Sequence, residues 1–214
     1  METPVSEDIN EEIRLASFGA RSHTLLLNDK QLVFDDTEIS LPAISHFKFG
    51  IKIIQLGMFP LGRRYQINLK TPDTQLDLVF RAYFGIGNKY FNRVFEMLVN
   101  GIWSHIGERL FREAIDLILS GKTFNTGNCT ISRQGIILNQ DTPLAKKQHL
   151  IPWAEVGYEK KYNRLVINSK SNHRIWANLY FMDDWNVDVL MDVLDWLFKE
   201  GGLAELDRNT FTKA

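Results

Sequence analysis

The stretch from Asn88 to Gly121 constrains this chain most, because it is a long helical pattern with strand-type sequence on both sides. Phe91, Val94, Phe95, Leu98, Val99, Ile102 and Ile106 recur at helical spacing and share about half of the circumference at ~100° per residue. Lys89, Arg93, Glu96, Asn100 and Ser104 take the other half, and Asn88 is placed to cap the start. Beyond Gly107, the residues Leu110, Phe111, Ala114, Ile115, Leu117 and Ile118 form a second apolar face. In a straight helix that face points away from the first by more than about a quarter turn. Either the helix breaks at Gly107 or one helix serves two cores. Both readings put a boundary here and predict two domains, residues 1–107 with an N-terminal leader and 108–214 with a leader helix and short tail.

The chain before the seam alternates. Ile9, Ile13, Leu15 and Phe18 predict a short helix ending at Gly19. His23–Asn28 and Gln31–Asp35 then read as a hairpin, and Ile44–Ile54, Arg64–Thr71 and Gln75–Ala82 as further strands of period two. Gly57-Met58-Phe59-Pro60-Leu61-Gly62 reads as a loop tip bounded by glycines. After the seam the order recurs. Thr130–Leu138 parallels Leu26–Phe34, Ile151–Val156 parallels Leu41–His46, and Arg164–Asn168 and Arg174–Tyr180 supply later strands. A last helix follows, with Val189, Leu190, Val193, Leu194 and Leu197 on one face. Asp184, Asp188, Asp192 and Asp195 lie opposite, where a surface helix presents a solvated face. Recurrence of this length implies a duplicated domain.

The phrase Arg133-Gln134-Gly135-Ile136, then Ile151-Pro152-Trp153-Ala154-Glu155-Val156, Arg164-Leu165-Val166-Ile167, Trp185-Asn186 and Leu194 resembles the bacterial pleckstrin-homology-like families. The resemblance covers residues 128–199 closely and 20–106 more loosely, where Ala43 and Ser45 stand in place of Trp153 and Glu155. It implies an α+β protein of two tandem PH-like barrels, each of about seven short antiparallel strands closed by a C-terminal amphipathic helix. It carries no catalytic residue.

Composition narrows the function. There are 25 basic and 26 acidic residues, a formal net charge of -1, so no global field favours nucleic acid. The single cysteine, Cys129, forbids an intramolecular disulfide and suits a reducing cytoplasm. The N-terminus is acidic and has no apolar run, so no secretory signal is expected, and no segment approaches the ~18 apolar residues of a membrane span. His23, His46, His105, His149 and His173 show no metal-ligand spacing. Gly85-Ile86-Gly87-Asn88-Lys89 lacks the spacing of a phosphate-binding loop and reads as a strand-to-helix turn. No cofactor, metal or catalytic residue is expected.

Two groups are candidates for contact with a partner. Met58, Phe59 and Leu61 at the loop tip adjoin Arg63 and Arg64, and exposed apolar side chains beside charge suit a protein interface or an anionic surface. Lys146, Lys147, Lys160, Lys161 and Arg164 form the densest basic group, readable as phosphate contacts or as lysines that guard sheet edges. The sequence therefore predicts a non-catalytic binding or scaffold protein acting through protein contacts or self-association. Its alternatives are a peripheral module with weak affinity for anionic membranes, and an enzyme with a pocket between the domains.

Overall fold

A computed structural model describes residues 8–18, 22–142 and 145–208. The side chains of residues 140–142, 145–146 and 207–208 are outside that description. The chain divides into two compact units, Met1–Arg109 and Leu110–Ala214.

In the first unit, β1 (Ile9–Arg14), β2 (Ser22–Leu27), β3 (Gln31–Phe34) and β4 (Thr37–Ser40) form an antiparallel meander. A 3-10 turn, Leu41–Ala43, leads into a second meander of β5 (His46–Leu56), β6 (Phe59–Lys70) and β7 (Gln75–Tyr83). The helix α1 (Asn88–Leu119) follows. In the second unit, β8 (Phe124–Thr126), β9 (Cys129–Ser132), β10 (Gly135–Thr142) and β11 (Ala145–Pro152) make a four-stranded meander. A 3-10 turn, Trp153–Glu155, leads to β12 (Val156–Lys160), β13 (Arg164–Ser169) and β14 (Trp176–Tyr180), then to α2 (Val187–Lys199) and α3 (Gly202–Arg208). The order of four strands, 3-10 turn, three strands and helix is thus the same in both units.

The expected pair of closed barrels is not what forms. The strands make four separate antiparallel sheets, and no helix closes a barrel. Alternation predicts that a strand exists but not which edges share hydrogen bonds, and after β4 the chain passes through a 3-10 turn into a separate sheet. Pro42 has no N–H to give, and the carbonyls of Leu41 and Ile44 accept instead from Arg109 Nη2, at 3.3 and 2.5 Å. In the second unit Pro152 precedes the equivalent turn, and Trp153 Nε1 donates to Arg133 O at 3.0 Å. A single bridge, Ala16 to Arg81, is the one isolated strand contact among the described residues.

Two helix expectations also change. Residues 9–14 are a strand, paired with β2 from Ile9↔Leu27 to Arg14↔Ser22. Ile9 and Ile13 are four apart, a spacing that satisfies a period of two as well as 3.6. And α1 does not break at Gly107. A Cβ there would lie 2.6 Å from Trp103 Cε2, so the missing side chain makes room for the indole one turn earlier.

The core of the first unit lies along α1. Phe91, Val94, Leu98, Ile102 and Ile106 are buried. Tyr65 of β6 sits 6.2 Å from the Phe91 ring and 5.6 Å from that of Phe95, and Phe80 of β7 is 6.5 Å from Phe91. The helix also approaches β1 and β2 closely at Gly101, where a Cβ would lie 2.7 Å from Leu27 Cδ2. Leu110, Ala114 and Ile118, on the rotated face of α1, are buried within the second unit's share of the helix.

In the second unit the apolar face of α2 is buried, but its acidic face is not the solvated stripe expected. Asp188 and Asp192 are half-buried. Burial, and after it the charge of Asp192, pushes the Asp188 carboxyl up to about 6, against a lowering by Lys160. Burial, then Asp195, also raises Asp192. Asp195 goes the other way: burial would raise it, but hydrogen bonds from Lys199 Nζ at 2.8 Å and Tyr158 Oη at 2.7 Å bring it below the usual range. Asp184 accepts from the Tyr180 backbone N–H at 2.8 Å, and Asn186, with φ 58°, precedes the helix.

The Asp188 shift has a testable sign. A carboxyl held above its unfolded value binds its proton more tightly in the folded state. Its stabilising contribution is present below about pH 4 and is lost as pH rises to about 6. Asp188→Asn should therefore stabilise this unit by ~1–2 kcal/mol at pH 7 and by little at pH 4. Thermal unfolding of both proteins across that window checks it, and a destabilised variant at pH 7 would contradict the burial argument.

Candidate functional site

The hairpin of β5 and β6 is longer than β7 beside it. The pairing of β6 with β7 ends at Gly62↔Tyr83, while β5 and β6 continue through Gln55↔Pro60 to Leu56↔Phe59. The overhang from Gly62 to Phe59 is three residues, about 10 Å at ~3.3 Å per residue. The expected loop of six residues is in fact a tight turn at Gly57-Met58, and Phe59 to Gly62 belong to β6. Gly57 has φ +61°, the Gly-first arrangement that hairpins of type II′ favour. At the register shift between Ile54 and Gln55 the partners step from Gly62 to Pro60, which leaves Leu61 of β6 as one extra residue.

Met58 is 93% exposed, Phe59 76% and Leu56 68%. Beside them the chain leaving β7 turns sharply into α1, with Phe84 N donating to Leu61 O at 2.8 Å. Phe84 has φ 51° and is 70% exposed, and Ile86 is also exposed. Ser17 Oγ ties this turn down, donating to Ile86 O at 2.7 Å and accepting from Tyr83 N at 3.1 Å. Exposed Phe18 follows Ser17 in the chain, and exposed Ile53 is one register step behind the overhang. Seven large exposed apolar side chains therefore gather at one end of the first unit. Elsewhere among the described residues only Leu150, Tyr162 and Trp176 are comparably exposed. Single exposed apolar residues need no explanation, but a contiguous group does.

The charge around this end is one-sided. From Ile39 to Pro72 the sequence contains Lys48, Lys52, Arg63, Arg64 and Lys70, and no Asp or Glu. Two residues behind Gly62, the register aligns Lys52↔Arg64 and Arg64↔Arg81, a row of three cations across three adjacent strands. Like charges directly opposite one another cost stability. No ion pair is found for any of the three among the described residues, and Arg64 Nε is buried without a hydrogen bond.

The structure thus brings Met58, Phe59, Arg63 and Arg64 together. Leu61 lies close by but is half-buried in β6. Lys52, Arg81, Leu56, Phe84, Ile86 and Phe18 belong to the same end and were missed. The readable signal was the missing acid between Ile39 and Pro72, which a search for motifs passes over.

The second basic group does not gather in this way. Lys146 lies outside the residues whose side chains are described, and Lys147 is exposed on β11. Lys160 lies 5.6 Å over the Phe181 ring, and its charge acts on Asp188, Asp192 and Asp195. Lys161 pairs with Glu159. Arg164 Nη1 approaches Tyr180 Oη at 3.5 Å. Much of this group's charge is balanced within its own unit.

No group of His, Cys, Asp and Glu among the described residues is arranged to hold a metal ion. Burial, then the charge of Asp184, pushes the Cys129 thiol up to about 12, so it is not a nucleophilic thiolate at neutral pH. No described helix is long and apolar enough to cross a membrane. The sequence matches no protein-family model and no curated protein. The pleckstrin-homology-like resemblance therefore rests on its motif residues alone.

Proposed function

We propose that this protein works by binding and not by catalysis, and that its working surface is the hairpin end of the first unit. The convergence of Leu56, Met58, Phe59, Phe84 and their neighbours on one end supports this reading. A folded chain gains nothing from holding large apolar side chains in water, and this one spends a tight turn, a bulge and a left-handed Phe84 on presenting them. The aligned cations behind them point the same way, since they oppose folding and are given no acidic partner there.

The reading makes a stability prediction that separates a contact surface from core. Changing Leu56, Met58, Phe59 and Phe84 together to Ser should alter unfolding free energy by under ~0.5 kcal/mol per site, because exposed side chains contribute little to folding. Binding of an apolar fluorescent dye to the native protein should fall sharply in the same variant. A loss of several kcal/mol, as for buried residues, would show that these side chains serve the fold, and the reading would be abandoned.

A further inference from the structure

We infer that the occupant of this end is the surface of an anionic lipid bilayer, an inference that rests on the binding function proposed above. The argument is one of shape and depth together with charge. The hairpin tip is convex, with Met58 at its turn and Leu56 and Phe59 flanking it. A convex apolar tip needs a concave groove in a protein partner, whereas a fluid bilayer accommodates it without prior fit. The overhang of about 10 Å matches the ~5–10 Å to which interfacial elements sink past the headgroups. The Lys52–Arg64–Arg81 row begins about 7 Å behind Gly62, two residues at ~3.3 Å each. With the overhang immersed up to Gly62, that row stands about 7 Å outside the headgroups, within reach of their field. Arg63, exposed on the other side of the sheet, is one residue nearer the tip than the row.

Charge decides between a neutral and an anionic surface. The hairpin carries cations and no carboxylate over its whole length, although the chain as a whole has a formal net charge of -1. Segregation of that kind gives one end a positive field and leaves the rest of the molecule mildly acidic, which orients the protein on a negative surface. Anionic leaflets attract cations only within about a Debye length, ~8–10 Å at physiological salt, and both the row and the tip lie inside that distance on docking. The apolar tip and the cations supply the two signals that stable peripheral attachment requires.

The test is sedimentation of the full chain with vesicles of phosphatidylcholine alone and of phosphatidylcholine mixed with phosphatidylserine. The parent should sediment with the mixed vesicles, weakly or not at all with neutral ones, and less as salt rises. Leu56→Ser/Met58→Ser/Phe59→Ser should weaken partitioning by about 100-fold or more, since several buried apolar groups are lost. Lys52→Gln/Arg81→Gln leaves the apolar tip intact and should weaken it by about tenfold or more, at ~1 kcal/mol for each cation. Circular dichroism confirms that both variants fold. Failure of the parent to bind mixed vesicles, or equal binding by either variant, overturns the inference. If the parent ignores vesicles but light scattering shows that the apolar variant loses a self-associated state, the end is an interface between copies. In that case the binding function stands and the bilayer falls. A variant that unfolds like a core mutant removes the binding function as well.

Discussion

Tyr65→Ala should lower the stability of the first unit by ~3–5 kcal/mol, the range for deleting a large buried aromatic. Tyr65 has no solvent exposure and stands where β6 meets α1. Its ring lies between those of Phe91 and Phe95, and its hydroxyl donates to Asn92 Oδ1 at 2.6 Å. Truncation removes the ring contacts, leaves a cavity that α1 cannot follow into, and strands the Asn92 acceptor. Tyr65→Phe isolates the last of these, and should cost only ~1 kcal/mol, the net value of an ordinary hydrogen bond. Because whole domains are stable by only ~5–15 kcal/mol, the Ala variant is expected to sit near its unfolding threshold at ambient temperature. Denaturant titration gives the magnitude, and hydrogen exchange of β6 amides locates it in this unit. A cost below ~1 kcal/mol for the Ala variant would mean that the aromatic cluster is not the unit's core.

The cluster shows what a sequence displays and what it hides. Tyr65, Ile67 and Leu69 alternate, and so do Leu76, Leu78 and Phe80, so the strands and their buried faces could be read directly. The helix face from Phe91 to Ile106 was equally plain. Closure was not, because it depends on hydrogen bonds between strands remote in sequence, which alternation does not specify. The first strand was mistaken for a helix because Ile9 and Ile13 fit both periods. Gly107 looked like a stop until the position of Trp103 explained it.

The candidate site divides in the same way. Met58, Phe59, Arg63 and Arg64 are adjacent in sequence, so their grouping was visible. Phe18, Phe84 and Arg81 come from other parts of the chain and reach the site only through the β6–β7 register and the Ser17 hydrogen bonds. The Lys146–Arg164 group failed as a cluster for the opposite reason. Its members are near in sequence, but β12, β13 and α2 set Lys160, Lys161 and Arg164 against different partners.

The second large effect is expected at Leu194. It is fully buried in α2 with Leu190, Val193 and Leu197, on the face opposite Asp192. Leu194→Ala should cost the second unit ~2–5 kcal/mol, from lost apolar burial and the cavity left behind. Little of that returns through helix propensity, since Leu and Ala are both good helix formers. Asp192→Asn on the other face should behave differently. Burial and the neighbouring Asp195 charge hold the Asp192 carboxyl above its usual range, so its ionised form is disfavoured in the folded state. A neutral amide relieves that at pH 7, and the change should be neutral or slightly stabilising, within ~0.5 kcal/mol. Lowering the pH toward protonation should shrink the difference between Asp192→Asn and the parent, because the parent carboxyl becomes neutral too. The Leu194→Ala deficit has no ionisation behind it and should persist at both pH values. Equal losses for the two substitutions in denaturant titrations would mean that the faces of α2 are assigned the wrong way round.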